Sequence, residues 1–198
     1  MARKVFYSFH FERDSQRAAQ VRNSHSLADE DEYGVVDSVE WEKIERQGKQ
    51  AVENWIKDQL KYTSVTVVLI GAETADREWV QYEIRQSWDR GNGLVGVSIH
   101  NVKNLDGKTD TAGPNPFERV LLADGSPVSS ICKIYDWVTE DGIGNLGKWV
   151  EEAFQTRVSY KGEKNLKANH LEKTSTDNSS RLSSGPVTLN NPPQPWTP

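Results

Sequence analysis

The chain has 198 residues and a formal charge of −5, from 24 Lys and Arg against 29 Asp and Glu. That acidity argues against a protein that grips nucleic acid through its phosphates, because such surfaces need a basic excess to release counterions. A single Cys, Cys132, excludes a disulfide framework or a Cys-built metal site, and no run of 18 apolar residues or secretory-type leader is seen, so a cytoplasmic protein with no membrane or nucleic-acid partner is expected.

Val5-Phe6-Tyr7-Ser8-Phe9 is β-branched and aromatic and reads as a first strand. Asp14 to Ala28 carries a weak helical stripe (Ala18, Val21, His25, Ala28) behind an Asp14-Ser15 cap signal. Tyr33 to Asp37 reads as a second strand, followed by a loop, Asp37-Ser38-Val39-Glu40-Trp41-Glu42. Val52, Trp55, Ile56 and Leu60 then mark an amphipathic helix. Ser64 to Ile70 is the most apolar segment, closed by Gly71, and predicts a central strand covered on both faces. Val80, Ile84 and Trp88 define the next helix, with Thr74 and Asp76 as candidate caps and Gly91 as its stop.

Leu94 to Ile99 predicts a fourth strand. His100 to Pro127 is turn-rich and long, the kind of connection that often carries function. Cys132 to Trp137 predicts a fifth strand, and Leu146, Trp149, Val150, Ala153 and Phe154 a last helix. Residues 158–198 hold five of the eight prolines and ten Ser or Thr, with only scattered apolar residues. Such a segment buries too little to offset its ordering entropy. The expected organisation is one domain over residues 1–157, with charge −7, and a disordered tail over residues 158–198.

Strands alternating with helices imply an α/β fold: a flavodoxin-like five-stranded parallel sheet of order 2-1-3-4-5 with helices on both faces. In such sheets the ligand crevice lies beyond the carboxyl ends of the strands, where the winding reverses between strands 1 and 3. Ser8, Phe9 and His10 after strand 1, Asp37 after strand 2 and Gly71 to Thr74 after strand 3 are placed there. No Gly-x-Gly-x-x-Gly, P-loop or Gly-x-Ser-x-Gly occurs, strand 3 ends without a phospho-acceptor Asp, and the four His show no metal-ligand spacing. Glu83 stands out: with Trp79 one turn away, it flanks the buried stripe of the helix that follows the switch-point strand. The ordinary alternative is a solvated helical Glu, although Trp79, Val80, Gln86 and Ser87, its neighbours along the helix, offer it no cation.

Val5-Phe6-Tyr7-Ser8-Phe9-His10 resembles the first motif of TIR domains, and Trp79-Val80-Gln81-Tyr82-Glu83-Ile84 resembles their Trp-Cys-x-x-Glu segment, whose Glu is catalytic in members that cleave NAD. With Ser64 to Gly71, Gly113-Pro114-Asn115-Pro116-Phe117 and Tyr135-Asp136-Trp137, the chain is most similar to the TIR-like subunits of bacterial Thoeris anti-phage systems. Val80 replaces the Cys of many TIR domains, and the usual Pro- and Gly-bearing second motif is missing, which leaves oligomer formation open. The resemblance implies an enzyme that cleaves NAD, its substrate rather than a cofactor, at the nicotinamide–ribose bond. A cyclic ADP-ribose-type signal would result, to be detected by a separate effector protein.

Glu83 would then be catalytic, stabilising an oxocarbenium-like ribose. Trp79 or Trp41 would form an apolar wall, and the Ser8–His10 turn would contact ribose or phosphate. Asn115 would orient a hydroxyl or an attacking adenine. Because the body is acidic, an anionic dinucleotide would depend on local donors, among them Arg22. The simpler readings make His10 a strand-end cap, Asp37 a turn residue and Pro114-Asn115-Pro116 a rigid turn. The alternative function is a non-catalytic TIR-like module that binds a nucleotide or a protein; the pairing of Glu83 with Trp79 favours the enzyme.

Overall fold

A computed structural model describes residues 3–24, 32–33, 38–160 and 165–167. Four strands, β1 (Val5–Ser8), β3 (Val65–Ile70), β4 (Gly93–Ser98) and β5 (Ile134–Asp136), form a parallel sheet in that spatial order. The two-residue β2 (Glu32–Tyr33) pairs parallel to β1 through Val5 and Phe6. Every residue of β1 and β3 is buried, so the sheet needs a layer on each face.

The pleat sorts the side chains between those layers. Val65, Val67 and Leu69 join Val5 and Tyr7 against α1 (Phe11–Arg22) and α5 (Gly142–Ser159), which contribute Ala18, Val21, Leu146, Trp149 and Val150. On the other face Val68 and Ile70 pack with Val80, Ile84 and Trp88 of α4 (Glu78–Arg90), and Phe6 packs with Val52, Ile56 and Leu60 of α3 (Lys49–Leu60). Gly91 ends α4 in the left-handed conformation, φ 87°, as a C-terminal glycine does.

Several boundaries differ from the sequence reading. The first helix begins at Phe11 rather than Asp14, so Asp14 is no cap: it sits fully buried in the first turn, behind the His10 carbonyl that accepts the Asp14 N–H. That helix is described to Arg22, and His25 and Ala28 lie outside the described residues. The expected loop after strand 2 is instead a helix, α2 (Ser38–Arg46), because Trp41 and Ile44, one turn apart, pack against the α3 cluster. Thr74 and Asp76 form a 3₁₀ turn rather than helix caps: the Thr74 hydroxyl accepts the Gly71 N–H at 2.9 Å, and α4 starts only after Arg77.

The last strand is confined to Ile134–Asp136, since the Cys132 N–H is already given to the Val128 carbonyl. Beyond α5, Asn165 and Lys167 bond to Ala123 and Leu121. No helix among the described residues is long and apolar enough to cross a membrane.

Candidate active site

The site begins where β1 ends. Ser8, the last residue of that strand, is buried, and its hydroxyl donates to Glu83 Oε2 at 2.5 Å from beneath α4. Val80, Ile84 and Trp88 anchor α4 to the sheet, which turns Glu83 inward until only 7 % of it is exposed. Removal from water disfavours the carboxylate, and the Ser8 hydrogen bond only partly offsets this, so the carboxyl pKa is pushed up to about 8. At pH 7 the acid form therefore predominates.

Above Glu83 opens a cleft of about 140 Å³. Its walls are aromatic. Phe9 and Phe11 stand 5.9 Å apart, Phe11 stacks on Trp41 at 6.4 Å, and Trp41 meets Trp55 edge-on at 5.6 Å. Trp79, one turn before Glu83, completes the lining and meets Tyr82 edge-on at 5.9 Å. Planar apolar faces above a carboxyl suit an aromatic heterocycle attached to a polar reacting centre.

His10 lies in the same lining, buried, with Nε2 3.6 Å from Glu12 and Nδ1 3.9 Å from Glu73. Burial and the neighbouring Arg77 lower its pKa, so it is neutral at pH 7. Arg77 also lines the cleft and bonds to Glu73 at 2.6 Å. The other oxygen of Glu73 takes a hydrogen bond from Arg13 at 2.7 Å, and Arg13 is in turn clamped by Asp110 through two contacts of 3.0 and 3.1 Å. Glu73 is consequently held below the usual carboxylate range, chiefly by Arg77.

The structure thus brings Phe9, His10, Trp41, Trp79 and Glu83 into one cleft, with Ser8 directly beneath. Arg22 ends α1 and is not part of the lining, and Asp37 lies outside the described residues. Asn115 also stays out of the lining: its side chain accepts the Phe117 N–H at 2.9 Å and caps the 3₁₀ turn Pro116–Arg119. Sequence reasoning missed Phe11, Glu12, Glu45, Trp55 and Arg77. Trp55 was visible only as part of the α3 stripe, and Arg77 only by its place two residues before Trp79. Among the described residues no group of three or more His, Cys, Asp or Glu is arranged to hold a metal ion.

The family model described as "Thoeris protein ThsB, TIR-like domain" matches residues 6–104, half of the chain. The chain belongs to this family. The matched span runs from β1 through β4 and contains both Trp79 and Glu83, but not Asn115. A protein of Bacillus cereus (strain MSX-D12) named "Putative cyclic ADP-D-ribose synthase ThsB1" is 29% identical over 191 residues, spanning 76% of this TIR-like chain and 100% of that relative.

Proposed function

We propose that the chain is an enzyme that cleaves NAD at the nicotinamide–ribose bond and closes the product into a cyclic ADP-ribose-type signal, which a separate effector detects in anti-phage defence. The observation that carries this reading is Glu83, held by Ser8 on the floor of an aromatic cleft. The cyclic ADP-D-ribose synthase in the relative's name points to the same chemistry. NAD enters as substrate, and no metal or resident cofactor is required.

In this chemistry the C1′–N bond breaks heterolytically and its electron pair leaves with nicotinamide, which departs neutral. The positive charge passes to C1′ and the ring oxygen, where the ionised Glu83 stabilises it. An adenine nitrogen then bonds to C1′ and the adenine sheds one proton, so that NAD gives cyclic product, nicotinamide and H⁺. Glu83 must be ionised for this. The pyridinium brings its own positive charge to the carboxyl, which lowers the pKa from about 8 and ionises the acid as substrate binds. Phe9, Trp41 and Trp79 would flank the nicotinamide ring, and the neutral His10 would face the ribose.

We assign this chemistry to residues 1–157, built on the 2-1-3-4-5 sheet order with Glu32–Tyr33 as its edge strand, and place the protein in the cytoplasm. The test is to incubate the full chain with NAD, alone and with lysate of phage-infected cells, and to separate the products. Nicotinamide and a cyclic nucleotide are expected in at least one arm and in neither with Glu83→Gln. Equal turnover by that variant sinks the catalytic assignment, and no turnover in either arm favours the binding module.

A further inference from the structure

The body of this protein carries a charge of −7, and the cleft lining itself includes Glu12 and Glu45 beside the largely protonated Glu83. An anionic ligand needs a local cation there. Among the described lining residues Arg77 is the one permanent cation. Lys49, 6.0 Å over the Trp79 ring, is engaged by Glu78.

Arg77 sits at the N-cap of α4, a helix of 13 residues, and makes no side-chain cap bond there. Its present partner is Glu73, through Nη2 at 2.6 Å. Glu73 is doubly held, since its other oxygen keeps Arg13 at 2.7 Å. A phosphate that took Arg77 from Glu73 would leave neither carboxylate nor guanidinium unpaired: Glu73 would stay with Arg13, and Arg77 would exchange one anion for another. The planar fork of an arginine matches phosphate oxygens two at a time, which a carboxamide or hydroxyl cannot reproduce.

We propose that Arg77 reads the phosphate of the ligand, so that the cleft prefers nucleotides to nucleosides, and that Glu73 is the built-in anion which the phosphate displaces. This rests on the nicotinamide-ribose reading of the same cleft and adds to it the group that selects the charged part of the substrate.

The test uses two probes that differ by one phosphate, nicotinamide mononucleotide and nicotinamide riboside, titrated into the full chain by calorimetry. The parent protein should bind the mononucleotide at least about tenfold more tightly, the size expected of one charge-assisted pair. Arg77→Gln should erase that preference, mononucleotide affinity falling about tenfold further than riboside affinity, while Arg77→Lys retains part of it. Glu73→Gln should raise mononucleotide affinity severalfold without touching the riboside. A mononucleotide preference that survives in Arg77→Gln, or a Glu73→Gln variant that binds the mononucleotide more weakly, overturns the proposal while leaving the enzyme reading in place. A parent protein that binds both probes equally, or neither, also overturns the proposal, and the NAD turnover assay with and without infected-cell lysate then decides the enzyme reading separately.

Discussion

Glu83→Gln should flatten the protein's loss of stability as the pH rises from about 5 to 8. Gln keeps the shape of Glu and can still accept the Ser8 hydrogen bond of 2.5 Å, but it has no proton to lose. In the unfolded chain Glu83 titrates near its ordinary 4.5, and in the folded protein it holds its proton to about 8. Between these values the folded state binds one proton more than the unfolded state. Stability from this group is therefore complete below pH 4.5 and is lost progressively as the pH rises toward 8. From pH 5 to pH 9 the loss integrates to about 4 kcal/mol, taking 1.36 kcal/mol per pKa unit. For a domain of this size that corresponds to a relative change in Tm of about 8–16 °C. Thermal unfolding of parent and variant, followed by circular dichroism at pH 5, 7 and 9, measures it directly, because every other titrating group is common to both. The variant should gain on the parent steadily as the pH rises. Parallel profiles would refute the claim that Glu83 is buried and proton-bound.

Ser8→Ala removes the hydrogen bond that favours the charged carboxyl, so the acidic limb of the pH–rate profile for nicotinamide release should move to higher pH, and an unmoved limb would deny Ser8 that role. Gly71→Ala should destabilise by about 3 kcal/mol in urea titrations, because a methyl at Gly71 would overlap the fully buried Asp14 carboxylate. Arg157→Ala should cost about 2 kcal/mol in the same assay, since this buried guanidinium donates to the Trp88 carbonyl at 2.9 Å and lies 4.7 Å from the centre of the Trp88 ring.

The parts of the fold that were legible in the sequence are those with strong local signals. SVTVVLI could hardly be anything but a covered strand, and the Val80–Ile84–Trp88 stripe fixed which way α4 faces and hence that Glu83 lies at its edge. What escaped depends on partners distant in sequence. α2 has only Trp41 and Ile44 to declare it, too short a pattern to register until α3 supplies the surface they cover. Arg77 belongs to the cleft because the turn at Thr74–Asp76 redirects the chain before α4, whereas Thr74 and Asp76 look like ordinary caps. Asn115 between two prolines suggests a ligand contact and a turn equally well, and the Phe117 amide occupies its oxygen. Trp55 shows the limit of periodicity, which marks a face as apolar without telling a packed core from the wall of a cavity.

The placement of Trp41, Trp55 and Trp79 around the cleft gives the protein an intrinsic optical reporter. An electron-poor pyridinium ring slipping between these indoles would quench their emission, and release of neutral nicotinamide would restore it. Occupancy and turnover could then be followed in real time on the unlabelled chain. Indoles well outside the cleft, such as Trp88 and Trp149, would supply a steady background against which the change is read.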